Sequence, residues 1–135
     1  MPNQEEDIRQ FYASYLDTFH TGEAKAMVPF YHAPCLFITD QGVTLLSNEI
    51  EIENLFAQVI EGLKGRNYSH TEVTDVQIKE LSGEMALFSS LAVRYTKTGE
   101  ELERLSAMYT MRKSNNAWQF VTVVAHSPET LVRFA

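Results

Sequence analysis

The sequence predicts a single α+β domain, and three observations carry that prediction. Apolar residues at helical spacing are confined to the first half of the chain. From His70 onward the texture changes to runs with strand character, separated only by SGE, KTGEE and KSNN. The last two runs form a long hairpin, Arg104 to His126, around Ser114-Asn115-Asn116. Helices at one end and a meander of antiparallel strands at the other define the α+β class.

The elements follow in order. Asn3 and Glu6 make a capping-box pattern, and Glu5, Glu6 and Asp7 suit the positive end of a helix. Ile8, Phe11, Tyr12, Tyr15, Leu16 and Phe19 then form one apolar helix face, closed by Thr21-Gly22. A short second helix from Glu23 carries Met27, Phe30 and Tyr31 inward, with Pro29 tightening or ending it. Cys35 to Thr39 reads as a strand, Asp40-Gln41-Gly42 as a turn, and Val43 to Leu46 as a return strand. Ser47 or Asn48 caps a third helix whose buried stripe is Ile52, Leu55, Phe56, Val59, Ile60 and Leu63. Four strands follow: Val73 to Leu81, Met85 to Lys97, Glu103 to Lys113 and Ala117 to His126. Runs longer than the usual five or six residues predict a long, strongly curved sheet.

With 135 residues the chain has single-domain length, and a domain of this size buries roughly 68–70% of its unfolded surface. A net charge of −7 disfavours nucleic acid and anionic membrane, which need a basic footprint. Cys35 is the sole cysteine, so no internal disulfide can form, as suits a reducing compartment. The N-terminus is acidic rather than signal-like, and no apolar run approaches the ~20 residues of a membrane span. A cytoplasmic location is expected. No glycine-rich phosphate loop and no closely spaced histidine pair is present, so neither a cofactor nor a metal is expected.

The strings THTGEAKAMVPFYH, SNEIEIENLF and RLSAMYTMRKSNNAWQFVTVVAHSP resemble the NTF2-like superfamily, the cone-shaped fold of ketosteroid isomerases and SnoaL-like proteins. The resemblance spans essentially the whole chain. It implies a sheet curled around three N-terminal helices, a deep apolar pocket open at one end, and homodimerisation through the outer sheet face. It does not fix an activity, because this scaffold hosts isomerases, cyclases, dehydratases and non-enzymatic binders.

Alternation then assigns faces. Trp118, Phe120, Thr122, Val124 and His126 share one side of the last strand, expected to face the pocket with Leu105, Ala107, Tyr109 and Met111 and with Leu87, Ser89, Leu91, Val93 and Tyr95. Phe88, Ala92, Met108, Val121, Val123 and Ala125 are then outside, together with Arg94 and Arg104. An outer face that apolar calls for a cover, which a second copy would supply.

The resemblance places Tyr15 where ketosteroid isomerases carry their oxyanion-stabilising tyrosine. The catalytic base position falls on Thr39, with Asp40 one residue later. The second oxyanion acid is replaced by Tyr109 and a pocket aromatic by His126. Steroid isomerisation is therefore not expected. Two readings stay open. One is a small-molecule-binding protein that holds a mostly apolar or amphipathic ligand among Phe37, Thr39, Phe56, Leu91, Thr122 and Val124. The other is an acid–base lyase or isomerase, like a dehydratase or cyclase, that uses His126 with Tyr109, Tyr15 or Asp40. Each candidate also has a plain structural explanation: His126 as a strand-end histidine bonded to backbone, Asp40 as a turn former, Tyr15 as core with a tethered hydroxyl.

Overall fold

The computed structural model describes residues 4–134. Helix α1 (Gln4–His20) buries Ile8, Tyr12, Tyr15 and Phe19, the expected stripe. Its capping box cannot be placed, since Asn3 lies outside the described residues. Thr21 and Gly22 donate back to Thr18 and Phe19 carbonyls, and Gly22 takes φ +73°, a C-terminal cap that glycine allows without strain. Helix α2 (Ala24–Met27) runs into a 3₁₀ turn, Val28–Phe30, with Pro29 early in that turn, where no amide hydrogen is needed. Helix α3 (Glu49–Lys64) is capped by Asn48, whose side chain accepts from the Glu51 amide at 3.0 Å, while the Glu51 carboxylate reaches back to the Ser47 amide.

The strands are β1 (Tyr31–Thr39), β2 (Gly42–Leu46), β3 (Tyr68–Glu80), β4 (Met85–Thr96), β5 (Glu101–Ser114) and β6 (Ala117–His126). They form one sheet in the order β2-β1-β6-β5-β4-β3, antiparallel throughout except where β1 runs parallel to β6. The β5–β6 turn carries Asn115 and Asn116 at φ +54° and +62°. Both values suit the two-residue hairpin turn whose twist matches that of the strands. β1 and β3 begin earlier than expected, at Tyr31 and Tyr68.

The helices lie in the concave side of the sheet, and the core there is aromatic. Phe120 is fully buried, with ring centroids 4.3 Å from Tyr109, 5.1 Å from Phe11, 5.2 Å from Tyr15 and 5.4 Å from Tyr31. Phe88 packs on Tyr12 at 4.5 Å, and Phe37 and Phe56 close on Tyr31.

Two of the expected face assignments are corrected. On β4 the inward residues are Ala86, Phe88, Ser90 and Ala92, since Ser90 bonds Tyr12 on α1 and Phe88 packs on the same tyrosine. Leu87, Ser89, Leu91 and Val93 therefore face outward, and Arg94 lies inward over the Phe19 ring. On β6 a register shift separates the pairs Thr110–Thr122 and Met111–Phe120. The extra residue, Val121, makes a β-bulge that reverses the alternation. Trp118 and Phe120 face the helices, as do Val123 and Ala125 opposite Tyr109 and Ala107. Thr122, Val124 and His126 point to the convex side, opposite Thr110, Met108 and Ser106.

The convex face is partly roofed by the chain itself. Asp75, Leu91, Ser106 and His126 form a row straight across β3, β4, β5 and β6. From His126 the chain turns at Ser127–Thr130 and returns over this row, so that Arg133 reaches Asp75 at 3.6 Å. Three interstrand steps span about 14 Å, well within the reach of seven residues. On the same convex face Ser89, Ser106 and Val93 are buried.

Candidate functional site

The inside of the cone holds a small hydroxyl-rich pocket of about 60 Å³ lined by Tyr12, Tyr15, Leu16, Phe19, Thr71, Ser90, Ala92, Arg94, Leu105 and Tyr109. Helical spacing places Tyr12, Tyr15 and Phe19 on one side of α1, and the β4–β5 register sets Ser90 and Ala92 beside Ala107 and Leu105. The Tyr15 and Tyr31 hydroxyls meet at 2.7 Å, and Tyr12 donates to Ser90 at 3.2 Å. Arg94 closes one end, bonded to Glu103 at 2.9 Å, with its Nε buried and without a partner among the described residues.

The electrostatics follow from burial. Desolvation drives Tyr15, Tyr12 and Tyr109 above the ordinary tyrosine value, and the Arg94 charge only partly opposes this. Tyr31 is raised by burial and further by its neighbours Tyr15 and Tyr109. These groups are donors at neutral pH, not bases. No carboxylate or imidazole is among the lining residues. The pocket can hold an acceptor or an oxyanion, but it supplies no group to remove a proton.

Of the four residues expected to carry acid–base chemistry, the structure brings two together. Tyr15 and Tyr109 both line the pocket and both pack on Phe120. His126 lies on the opposite face of the sheet, its Nδ1 3.1 Å from the Ser127 carbonyl. Nδ1 therefore donates to that carbonyl, while Nε2 is buried and has no partner among the described residues. Asp40 is exposed in the β1–β2 turn. Among the expected ligand contacts, Phe37 and Phe56 are interior but pack on Tyr31, outside the pocket lining. Thr39 is exposed and bonds the Gln41 amide, and Leu91, Thr122 and Val124 are on the convex face. Sequence reasoning passed over Tyr12, Ser90 and Arg94. Tyr12 shares the periodic stripe with Tyr15, so it was within reach. The β4 pair needed the face of that strand to be known.

Cys35 is buried, and desolvation pushes its thiol up to about 11, the behaviour of an inert core cysteine. A larger hollow of about 560 Å³, beside Asp7, Phe11, Lys113 and Trp118, is an outward cleft between α1 and the β5–β6 turn.

Residues 4–128 match the family described as NTF2-like protein (DUF6841). The chain is an NTF2-like protein. Solved structures agree on this fold. The protein Aln2 from a Streptomyces species superposes with a TM-score of 0.77 at 14% identity, covering 96% of this chain and 94% of that one. An NTF2-like protein with a cystatin-like fold from Novosphingobium aromaticivorans gives 0.74 at 16% identity, covering 90% and 80%. A putative calcium/calmodulin dependent protein kinase II association domain from Xanthomonas campestris gives 0.74 at 12%, covering 96% and 91%. At such identities the likeness concerns the NTF2-like fold alone. No curated protein matches the chain by sequence.

Proposed function

We propose that this NTF2-like protein binds a small, mostly apolar molecule through one hydrogen-bond acceptor, without turning it over. The observation that carries the reading is the composition of the interior pocket: hydroxyl donors and one guanidinium, with no base. Its volume of about 60 Å³ accommodates one carbonyl-sized group, far below the roughly 300 Å³ at which drug-sized sites begin. The ligand's acceptor would sit among Tyr12, Tyr15 and Tyr109, with its apolar part over Leu16 and Leu105. The alternative, an acid–base lyase or isomerase using His126, would need His126 and Tyr15 to share a chamber, and the sheet lies between them.

Titration with acetophenone and with ethylbenzene, followed by NMR, tests the reading. Acetophenone is expected to shift the Tyr15 and Tyr109 resonances, more weakly in Tyr15→Phe, and ethylbenzene to bind less well. Equal binding of the two would refute a role for the hydroxyls. Enzyme-dependent exchange of the acetophenone α-protons with deuterium would instead establish acid–base chemistry.

A second reading concerns the convex face. Val43 and Leu45 on β2 are 66% and 56% exposed, and their partners Ile38 and Leu36 continue the patch towards Val124 and Thr122. A second copy of the chain packed here would cover apolar surface that a monomer leaves in water. Light scattering is expected to give twice the chain mass at micromolar concentration. A monomer only, across that range, would end this reading.

A further inference from the structure

Phe19 separates the interior pocket from a second hollow of about 210 Å³ at the C-terminal ends of α1 and α3. Its floor is Phe19, Ile60, Leu63 and Tyr68, and its rim carries His20, Lys64 and Lys97. Lys64 enters with its stem laid across the first turn after α1: a Cβ on Gly22 would stand 3.9 Å from Lys64 Cε. Lys97 is brought in by a backbone bond, its amide donating to the Asn67 carbonyl at 3.0 Å, which ties the β4–β5 turn to the α3–β3 loop. His20 faces the same hollow, with Nε2 accepting from the Thr71 amide at 3.1 Å, so its proton is on Nδ1.

Two lysines converge on this hollow. The chain has 18 acidic and 11 basic residues, and the ion pairs among the described residues use Arg9, Arg66, Arg94, Arg104 and Arg133 but no lysine. Among the described residues neither Lys64 nor Lys97 forms an ion pair, and the hollow has no aspartate or glutamate in its lining. Two unneutralised ammonium groups beside an apolar floor are the counterpart of an amphipathic anion. The helix ends limit its charge: α1 and α3 both direct their carbonyl termini here, and those partial negative charges offset part of the lysine field. A singly charged head group fits that field better than a phosphate dianion.

We infer that this hollow is a binding site for a small organic carboxylate, its short alkyl or single-ring body on Phe19, Ile60, Leu63 and Tyr68 and its carboxylate held by Lys64 and Lys97. The site stands apart from the interior pocket and does not require that pocket to bind anything.

Calorimetric titration of the full chain with hexanoate, 1-hexanol and monohexyl phosphate tests it, with circular dichroism confirming that each variant is folded. Hexanoate is expected to bind about tenfold or more tighter than hexanol, the size of a charge-assisted contact, and no weaker than hexyl phosphate. Lys97→Gln and Lys64→Gln should each cost about three- to fivefold and the double variant should lose binding. Lys79→Gln and Tyr15→Phe should bind as the parent does. The inference is overturned if hexanoate does not bind, if hexanol binds equally, or if hexyl phosphate binds more tightly. Unchanged affinity in the double variant overturns it too, as does loss of hexanoate binding in Tyr15→Phe, which would move the ligand to the interior pocket.

Discussion

The two faces of the sheet are built from alternate residues of the same strands, yet they solve the problem of buried polarity in opposite ways. On the concave face the hydroxyls are matched, Tyr15 to Tyr31 and Tyr12 to Ser90, inside a wall of aromatic rings. On the convex face Ser89 Oγ, Ser106 Oγ and His126 Nε2 are buried and have no hydrogen-bond partner among the described residues. A buried polar group left unmatched costs about 1–3 kcal/mol. Among the described residues the concave face leaves Arg94 Nε and Trp118 Nε1 unmatched but pairs the Tyr12 and Tyr15 hydroxyls, whereas the convex face leaves its buried hydroxyls unpaired and is held closed at a cost. Stability should reside in the first and adaptability in the second.

Replacing Phe120 by alanine should give the largest effect, since its ring touches five aromatic neighbours in the concave core. A loss of about 3–5 kcal/mol in urea unfolding is expected; a loss under about 1 kcal/mol would mean the interior is loosely packed. Tyr31→Phe strands the buried Tyr15 hydroxyl and should cost about 1–3 kcal/mol. The tyrosines also predict an alkaline limit. Their folded values are raised, so above about pH 10 the unfolded chain releases protons that the folded chain keeps. Their stabilising contribution is complete below that pH and is lost as pH rises through the folded values. Urea midpoints should fall as pH rises above about 10, and Tyr15→Phe should flatten the fall. On the convex face the double change Val43→Asp, Leu45→Asp should alter unfolding by no more than about 0.5 kcal/mol per site while shifting light scattering to the single-chain mass. Arg133→Ala should be smallest, within about 1 kcal/mol, because the Asp75 pair is long and solvent-washed. Faster amide exchange at Leu91 and Ser106 would still reveal that the strap had loosened.

Much of this architecture was legible in the residues. The α1 and α3 stripes, the Asn48 cap and the Asn115-Asn116 turn are local signals, and local geometry decides them. The faces of β4 were not legible, because that strand is apolar on both sides: Ala86, Phe88 and Ala92 against Leu87, Leu91 and Val93. Alternation of hydrophobicity has nothing to distinguish there. On β6 the alternation was read correctly as far as Phe120 and then failed at a bulge that no residue announces, since Val121 is an ordinary strand former. The candidate site inherited both outcomes. Tyr15 and Tyr109 were placed inside, His126 was carried to the wrong side, and Arg94 was assigned outward when it closes the pocket.

That single inserted residue has a consequence for how the chain tolerates length changes. Deleting Val121 would bring the pairs Met111–Phe120 and Thr110–Thr122 into direct succession and leave every later residue of β6 on its present face. Thr122, Val124 and His126 would stay convex, and Val123 and Ala125 would stay opposite Tyr109 and Ala107. Loss of one residue from a strand without a bulge would instead exchange the inner and outer faces of everything beyond it. The bulge is thus a place where the hairpin can lose length without reversing a face.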